Sequence, residues 1–418
     1  MRCHPLWALL LGAAISLAGC GNGGGGGGDD DDGSGDGGIG NGDGGGGNAD
    51  GSVTPGGERV FDPDVLHAVT ITVAQGDLAT LDSNQDVRVR CTIAIDGETV
   101  ADAGCKKKGT TSVRPLSGKA GFTVKMNEFV AGQKLDGLKK LTIDNAVQDP
   151  SLLVGHLSYE VYRRAGLPAP RTSHATLSFN GVDKGLFVLE EATNSQYLEG
   201  VFGDGNGDGN VYEGPWDFPK GVAAADLKDE VSEMRTRDDL EALTRVIMDS
   251  TDAQLPAALE AQLDVDRFIT NFAVEEVAVL WDNYAIVAWN YYLYHVPGGR
   301  FVILTHGVNW PYWVANFDPF DLNQDPWGTG DPPGYLCVRL LRIPAYAAAY
   351  RAELTRVARD AWDVDVLLAR IDRATATLHS RPLTGASLEN LGRHEAELAG
   401  ARDFVRDRRT YLANLLGF

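Results

Sequence analysis

The chain has 418 residues, of which 37 are Lys or Arg and 58 are Asp or Glu, giving a formal charge of −21 with the histidines neutral. That length supports a sizeable core in two or more parts. The acidic excess extends over the globular portion, which argues against a nucleic-acid backbone as partner and favours solubility and cation binding.

The first twenty residues, MRCHPLWALLLGAAISLAGC, combine a basic start, an apolar run from Leu6 to Leu17 and small residues before Cys20. The run is too short to span a bilayer comfortably, so a cleaved signal fits better than a transmembrane helix. Cysteine at the cleavage point has the pattern of a bacterial lipoprotein signal. Against the alternative of an ordinary secretory signal in which Cys20 is incidental, it predicts that Cys20 is lipidated, and that the protein is exported and held only by that lipid to the cell envelope, at the outer membrane or cell surface. From 21 to 57 the chain is almost entirely Gly, Asp, Asn and Ser. Such a composition buries too little apolar surface to order itself, and predicts a flexible tether. Cys91, Cys105 and Cys337 then remain. The spacing of the first two suits a bridge between neighbouring strands in an oxidising compartment, although spacing alone leaves the pairing open. Cys337 is expected to be unpaired and buried.

Between 58 and 202 the chain is strand-rich. Segments 68–74, 87–96, 121–127, 139–145, 174–181 and 184–191 alternate or run apolar between Gly, Asp and Asn turns, and Asn180-Gly181 has hairpin chemistry. One helix interrupts them, with Leu152, Leu153, His156, Leu157, Val161 and Tyr162 on one face and Gly166 and Pro168 as its stop. After a Gly/Asp-rich loop at 203–210 the pattern turns helical. Thr236 and Asp239 have capping-box spacing, and Asp264 opens a second helix. A hairpin follows, AWNYYLYHV and RFVILT around Pro297-Gly298-Gly299, and helical patterns return at 344–359, 363–378 and 388–416. The expectation is an α+β chain, strand-rich over 58–202 and mainly helical over 203–418.

Several residues suggest chemistry. Lys108-Gly109-Thr110-Thr111-Ser112 offers backbone N–H groups, hydroxyls and a cation to an oligophosphate, although an ordinary polar turn has the same composition. Lys125, in FTVKM, is either an edge-strand surface lysine or one that needs an anionic partner. Asp204-Gly205-Asn206-Gly207-Asp208-Gly209 starts like a calcium loop, but Pro215 stands where the bidentate glutamate belongs, which rejects an EF-hand. A Ca²⁺ site of another geometry, using Glu213, is the weaker alternative to a plain Gly-rich connection. Asp282 is a helix-end cap or a functional carboxylate. Because a hairpin returns the chain to its start, Asp282 should lie near residues 305–310. His306, beside Trp310, Tyr312 and Trp313, reads as packed rather than ligating.

Taken together, these stretches resemble the CotH family of spore-coat and surface proteins, an atypical kinase-like family. Residues 138–192 follow its run of strand, helix, G-x-P-A-P-R-T-S, strand, N-G-x-x-x-G-L-[FY] and acidic strand end, with 106–112, 207–214 and 263–304 in matching order. The resemblance implies a two-lobed atypical protein-kinase-like fold, an N-lobe over 58–202 and a C-lobe over 203–418. It also implies ATP and Mg²⁺ as cofactors and phosphate transfer to hydroxyl side chains, serine among them, of an exported or surface protein. Position by position, it implies Asp282 as catalytic carboxylate, Asp282, Asn290 and Asn309 as metal ligands, and Lys108, Lys125 and Glu191 at the nucleotide, with Glu191 partnering Lys125. In the family the strand after the hairpin ends in P-W-D-L-D or P-H-G-x-D. Here it is Thr305-His306-Gly307-Val308-Asn309, so Asn309 stands where the metal-binding aspartate is expected. An amide oxygen still ligates magnesium, but without the negative charge it holds the ion less tightly and neutralises less of it. The alternative is a catalytically degenerate module for surface binding or adhesion.

Overall fold

Strict alternation along β1 (Leu66–Val73) sends His67, Val69, Ile71 and Val73 inward and Ala68, Thr70 and Thr72 to solvent, as a strand with one buried face requires. A short helix, α1 (Leu78–Ser83), leads to β2 (Val89–Ile95), β3 (Glu98–Lys108), β4 (Gly121–Lys125) and β5 (Lys140–Asp144). Helix α2 (Val154–Arg164) then precedes β6 (Thr172–Phe179) and β7 (Val182–Glu191). This computed structural model describes residues 56–228, 236–309, 314–324, 330–383 and 391–418. The signal, Cys20, most of the tether, and Trp310, Tyr312 and Trp313 lie outside the described residues.

The seven strands form a closed barrel in the order β1-β2-β3-β4-β5-β7-β6, sealed by parallel pairing of β1 with β6 from Leu66 opposite His174 to Ile71 opposite Phe179. Val69, Ile71, Ile93, Val124, Leu141 and Leu189 fill the interior, where Phe122 stacks on Phe179 at 5.3 Å. The sequence pattern predicts six of these strands and no closure. The seventh, β3, reads ETVADAGCKKK, too polar to announce itself, and takes its place through pairing with β2 and β4. Cys91 and Cys105 are bonded across β2 and β3, with Cα atoms 5.9 Å apart, while Cys337 is free and buried. The predicted turn at Asn180-Gly181 is present, both residues taking positive φ.

Beyond the barrel come α3 (Ser195–Phe202), β8 (Val211–Glu213), β9 (Asp226–Leu227), α4 (Asp238–Asp249), α5 (Leu255–Glu260), α6 (Val265–Ala278) and α7 (Tyr284–Val287). The hairpin β10 (Tyr291–His295) and β11 (Phe301–Thr305) follows, then α8 (Tyr335–Leu341), α9 (Pro344–Arg356), α10 (Val364–Leu378) and α11 (Leu391–Leu416). Strands β11-β10-β8-β9 form a second sheet. The chain is therefore α+β. Among the described residues no helix is long and apolar enough to cross a membrane.

Helix α6 is the buried axis of the helical part, and Asp264 caps it as expected, accepting from Arg267 N at 3.2 Å. The expected capping box at Thr236 and Asp239 is not formed. Helix α4 starts at Asp238 without a side-chain cap, because Asp239 instead accepts from Tyr212 Oη at 2.6 Å, His295 Nδ1 at 2.9 Å and Asn210 Nδ2 at 3.0 Å. These tertiary partners replace the local bond. The far end of α6 is closed by Arg408 of α11, which is fully buried. Its guanidinium donates to Glu276 O at 2.7 Å, Val277 O at 3.0 Å, Ala315 O at 2.8 Å and Phe317 O at 2.5 Å. A cation there gives carbonyls at the helix end a further donor and complements the helix dipole.

Candidate functional site

Strands β3, β4 and β5 lie side by side, and Lys108 ends the first while Asp144 ends the third. Gly121 of β4 pairs with Lys108, and a Cβ there would come within 3.3 Å of the lysine stem and of Ile143 O. The missing side chain lets Lys108 cross to Asp144, where Nζ meets Oδ2 at 2.7 Å. Asn309 Nδ2 approaches the same oxygen at 3.4 Å, and Asp144 Oδ1 accepts from Ala146 N at 2.7 Å. Burial alone would raise the Asp144 acid, but the Lys108 charge and hydrogen bond hold it low. Burial likewise opposes the Lys108 cation, which is kept above its ordinary range by Asp144, Glu190 and Glu213.

Glu190 reaches this cluster from β7 and accepts from Tyr159 Oη of α2 at 3.2 Å. Burial, and behind it the like charge of Asp144, pushes its acid up, against Lys108 and His306. Glu213 comes from β8. Burial would raise it, yet His306, with Nε2 3.1 Å from Oε1, and Lys228 beside Oε2 pull it down to about 2. The His306 ring stacks on Tyr292 at 4.3 Å, so the expectation of a packed histidine holds, with an acidic partner the sequence did not reveal.

The flanks of the hairpin meet as predicted. Asn283 Nδ2 donates to Asn290 O at 2.6 Å and to His306 O at 3.0 Å, tying the start of β10 to the end of β11. Gly307 has φ +66°, and a Cβ there would fall 2.9 Å from Asn290 side-chain carbons. Asn290 Nδ2 in turn donates to Asp282 Oδ2 at 2.9 Å and Asp282 O at 3.1 Å. Asp282 is not the cap of α7: the N-cap position is Asn283, without a side-chain cap bond. Burial pushes the Asp282 acid up to about 7, and among the described residues no cation pairs with it. Asp282 and the Asn290 amide oxygen are hard donors of the kind Mg²⁺ prefers, and a bound cation would supply the missing countercharge.

Two expected site residues lie elsewhere. Lys125 is at the opposite end of β4 from Gly121, about 13 Å along the strand, and its Nζ is 3.5 Å from Glu128. Glu191 does not partner it. Arg171 engages Glu191 from Nη2 to Oε1 at 2.7 Å and from Nε to Oε2 at 3.1 Å. Successive strand residues face opposite ways, so the acid beside Lys108 is Glu190. In the 204–213 segment, Glu213 is taken up by His306 and Lys228, and Asn206 Nδ2 donates to Phe202 O at 2.9 Å.

Comparison with known families gives a match between residues 108–412 and the family described as CotH kinase protein. No curated protein matches the chain.

Proposed function

The chain belongs to the CotH family, and from that premise we propose that it is a kinase-like phosphotransferase that binds ATP with Mg²⁺ and phosphorylates hydroxyl side chains of exported proteins. In this reading the barrel and the helical part act as the two lobes of an atypical kinase-like fold. The protein works from the cell envelope, held by lipid on Cys20. The observation that carries the reading is the junction of Asn283 with Asn290 O and His306 O, which brings both hairpin flanks together while Asn309 reaches the Lys108–Asp144 pair.

The roles follow from the environment of each group. Lys108 releases part of its contact with Asp144 to meet phosphate oxygens, as a cation at a strand end suits. Asp282, with its acid raised to about 7 by burial, is poised to accept the proton of an attacking hydroxyl near neutral pH. Asn290 orients that carboxylate through its amide N–H and leaves its oxygen, with that of Asn309, for a metal ion. Magnesium, when bound, would neutralise charge on the transferring phosphate. Lys125 and Glu191 are set aside in favour of Glu190.

Calorimetric titration of the purified protein with a non-hydrolysable ATP analogue, with and without Mg²⁺, tests this. Metal-dependent binding supports it, and absence of binding to folded protein rejects it. A second reading, a degenerate surface-binding module, is favoured by one observation: Asn309 donates to Asp144 instead of presenting a negative charge.

A further inference from the structure

Far along the chain from these residues, the end of α10 and the first turns of α11 bring three metal-binding side chains together. His379 is the C-cap residue of α10, and His394 and Glu395 lie in α11. The ligand atoms of the three are all within 4.8 Å of one another, and no other such trio occurs among the described residues. His379 Nε2 is 3.1 Å from His394 Nε2 and 3.5 Å from Glu395 Oε1.

The protonation of His394 is set by its second nitrogen. Its ring is fully buried, and Nδ1 faces Pro150 O at 2.6 Å. A carbonyl only accepts, so Nδ1 carries the proton and the neutral ring turns the Nε2 lone pair toward His379. This is the arrangement in which a metal-bound histidine donates its other N–H to a backbone carbonyl. Two nitrogens bound tetrahedrally at 2.0–2.1 Å from zinc lie about 3.3 Å apart, close to the separation observed. His379 and Glu395 are exposed, so a fourth position is open to water.

We propose that His379, His394 and Glu395 hold a divalent transition-metal ion of the zinc class. The ion joins α10 to α11 and, through Pro150, fastens them to the turn between Asp144 and α2. Imidazole nitrogens select such an ion over Mg²⁺ or Ca²⁺, so its effects separate from those of any nucleotide-bound magnesium.

The test uses the untagged full chain stripped with EDTA, then titrated with Zn²⁺ or Co²⁺, alongside His379→Ala and Glu395→Gln, both at exposed positions. The wild type should take up about one ion per chain, show cobalt d–d absorption, and gain about 2–4 °C in Tm with zinc but not with magnesium. Each variant should lose at least about tenfold in cobalt affinity, and Glu395→Gln should keep its metal-free Tm. A wild-type melt indifferent to zinc and EDTA, or either variant binding cobalt as the wild type does, would overturn the proposal.

Discussion

Lys108 Nζ lies 2.7 Å from Asp144 Oδ2, joining the last residue of β3 to the last residue of β5 across a glycine of β4. Asp144 is almost wholly buried, whereas the Lys108 side chain is 24% exposed. Replacing the lysine leaves a buried carboxylate without its cation. Lys108→Met should therefore destabilise the fold by about 2–3 kcal/mol, below the usual figure for a fully buried pair because water reaches the lysine. The double variant Lys108→Met with Asp144→Asn should recover part of that loss in urea unfolding. Under the proposed function both variants also lose ATP-analogue binding.

Asn309→Asp places a carboxylate where an amide now donates to Asp144 at 3.4 Å. Like charges repel at that distance, so the variant should melt below the wild type in EDTA. If the site takes magnesium, Mg²⁺ should restore the melting temperature and increase phosphate transfer. An unrestored melt, with no ATP-analogue binding, would favour the degenerate surface module.

Glu275 in α6 is fully buried, with Oε1 accepting from Asn271 Nδ2 at 2.7 Å and Oε2 from Ala285 N at 2.6 Å. Burial pushes its acid up to about 8. The folded state then holds a proton that the unfolded chain releases near its ordinary carboxylate range. Its contribution to stability is accordingly largest at low pH, declines as pH rises toward 8, and is lowest above that. Glu275→Gln should match the wild type at about pH 5 and exceed it by on the order of 3 kcal/mol at about pH 9. Chemical denaturation at the two pH values checks the sign.

The Cys91–Cys105 bond closes a loop of sequence separation 14 within the barrel. Changing both cysteines to alanine should cost about 2–3 kcal/mol, much of it by loosening the unfolded chain. The ATP-analogue affinity should stay unaltered, since neither cysteine touches the Lys108 cluster. Equilibrium unfolding with and without reductant gives the same comparison in the wild type.

The parts of this architecture that sequence reveals are those set by local pattern. The period-two apolar face of β1, the Asn180-Gly181 turn, the Asp264 cap and the hairpin that carries Asp282 back to Asn290 and His306 are all of that kind. Glu190 is different. On β7 Leu186 and Val188 pack on one side and Phe187 and Leu189 on the other, so a strand buried on both faces offers no alternation to say which glutamate turns toward Lys108. Asp144 sits in a predicted strand, yet its role depends on strand order, which pairing across a barrel decides. The capping box at Thr236 and Asp239 had the right spacing, and Asp239 was claimed by Tyr212 and His295 from elsewhere in the chain. Nothing in the spacing of Arg408 links it to α6.

That last link bears on the order in which the molecule is assembled. Arg408 serves Val277 from 131 positions downstream and Phe317 from 91. On a ribosome, α6 emerges well before the residue that completes its end, and the carbonyls of Glu276, Val277, Ala315 and Phe317 must wait for it. A nascent chain halted before α11 would lack the cation that closes the end of α6. Closure of the end of α6 is thus a late event, coupled to docking of α11.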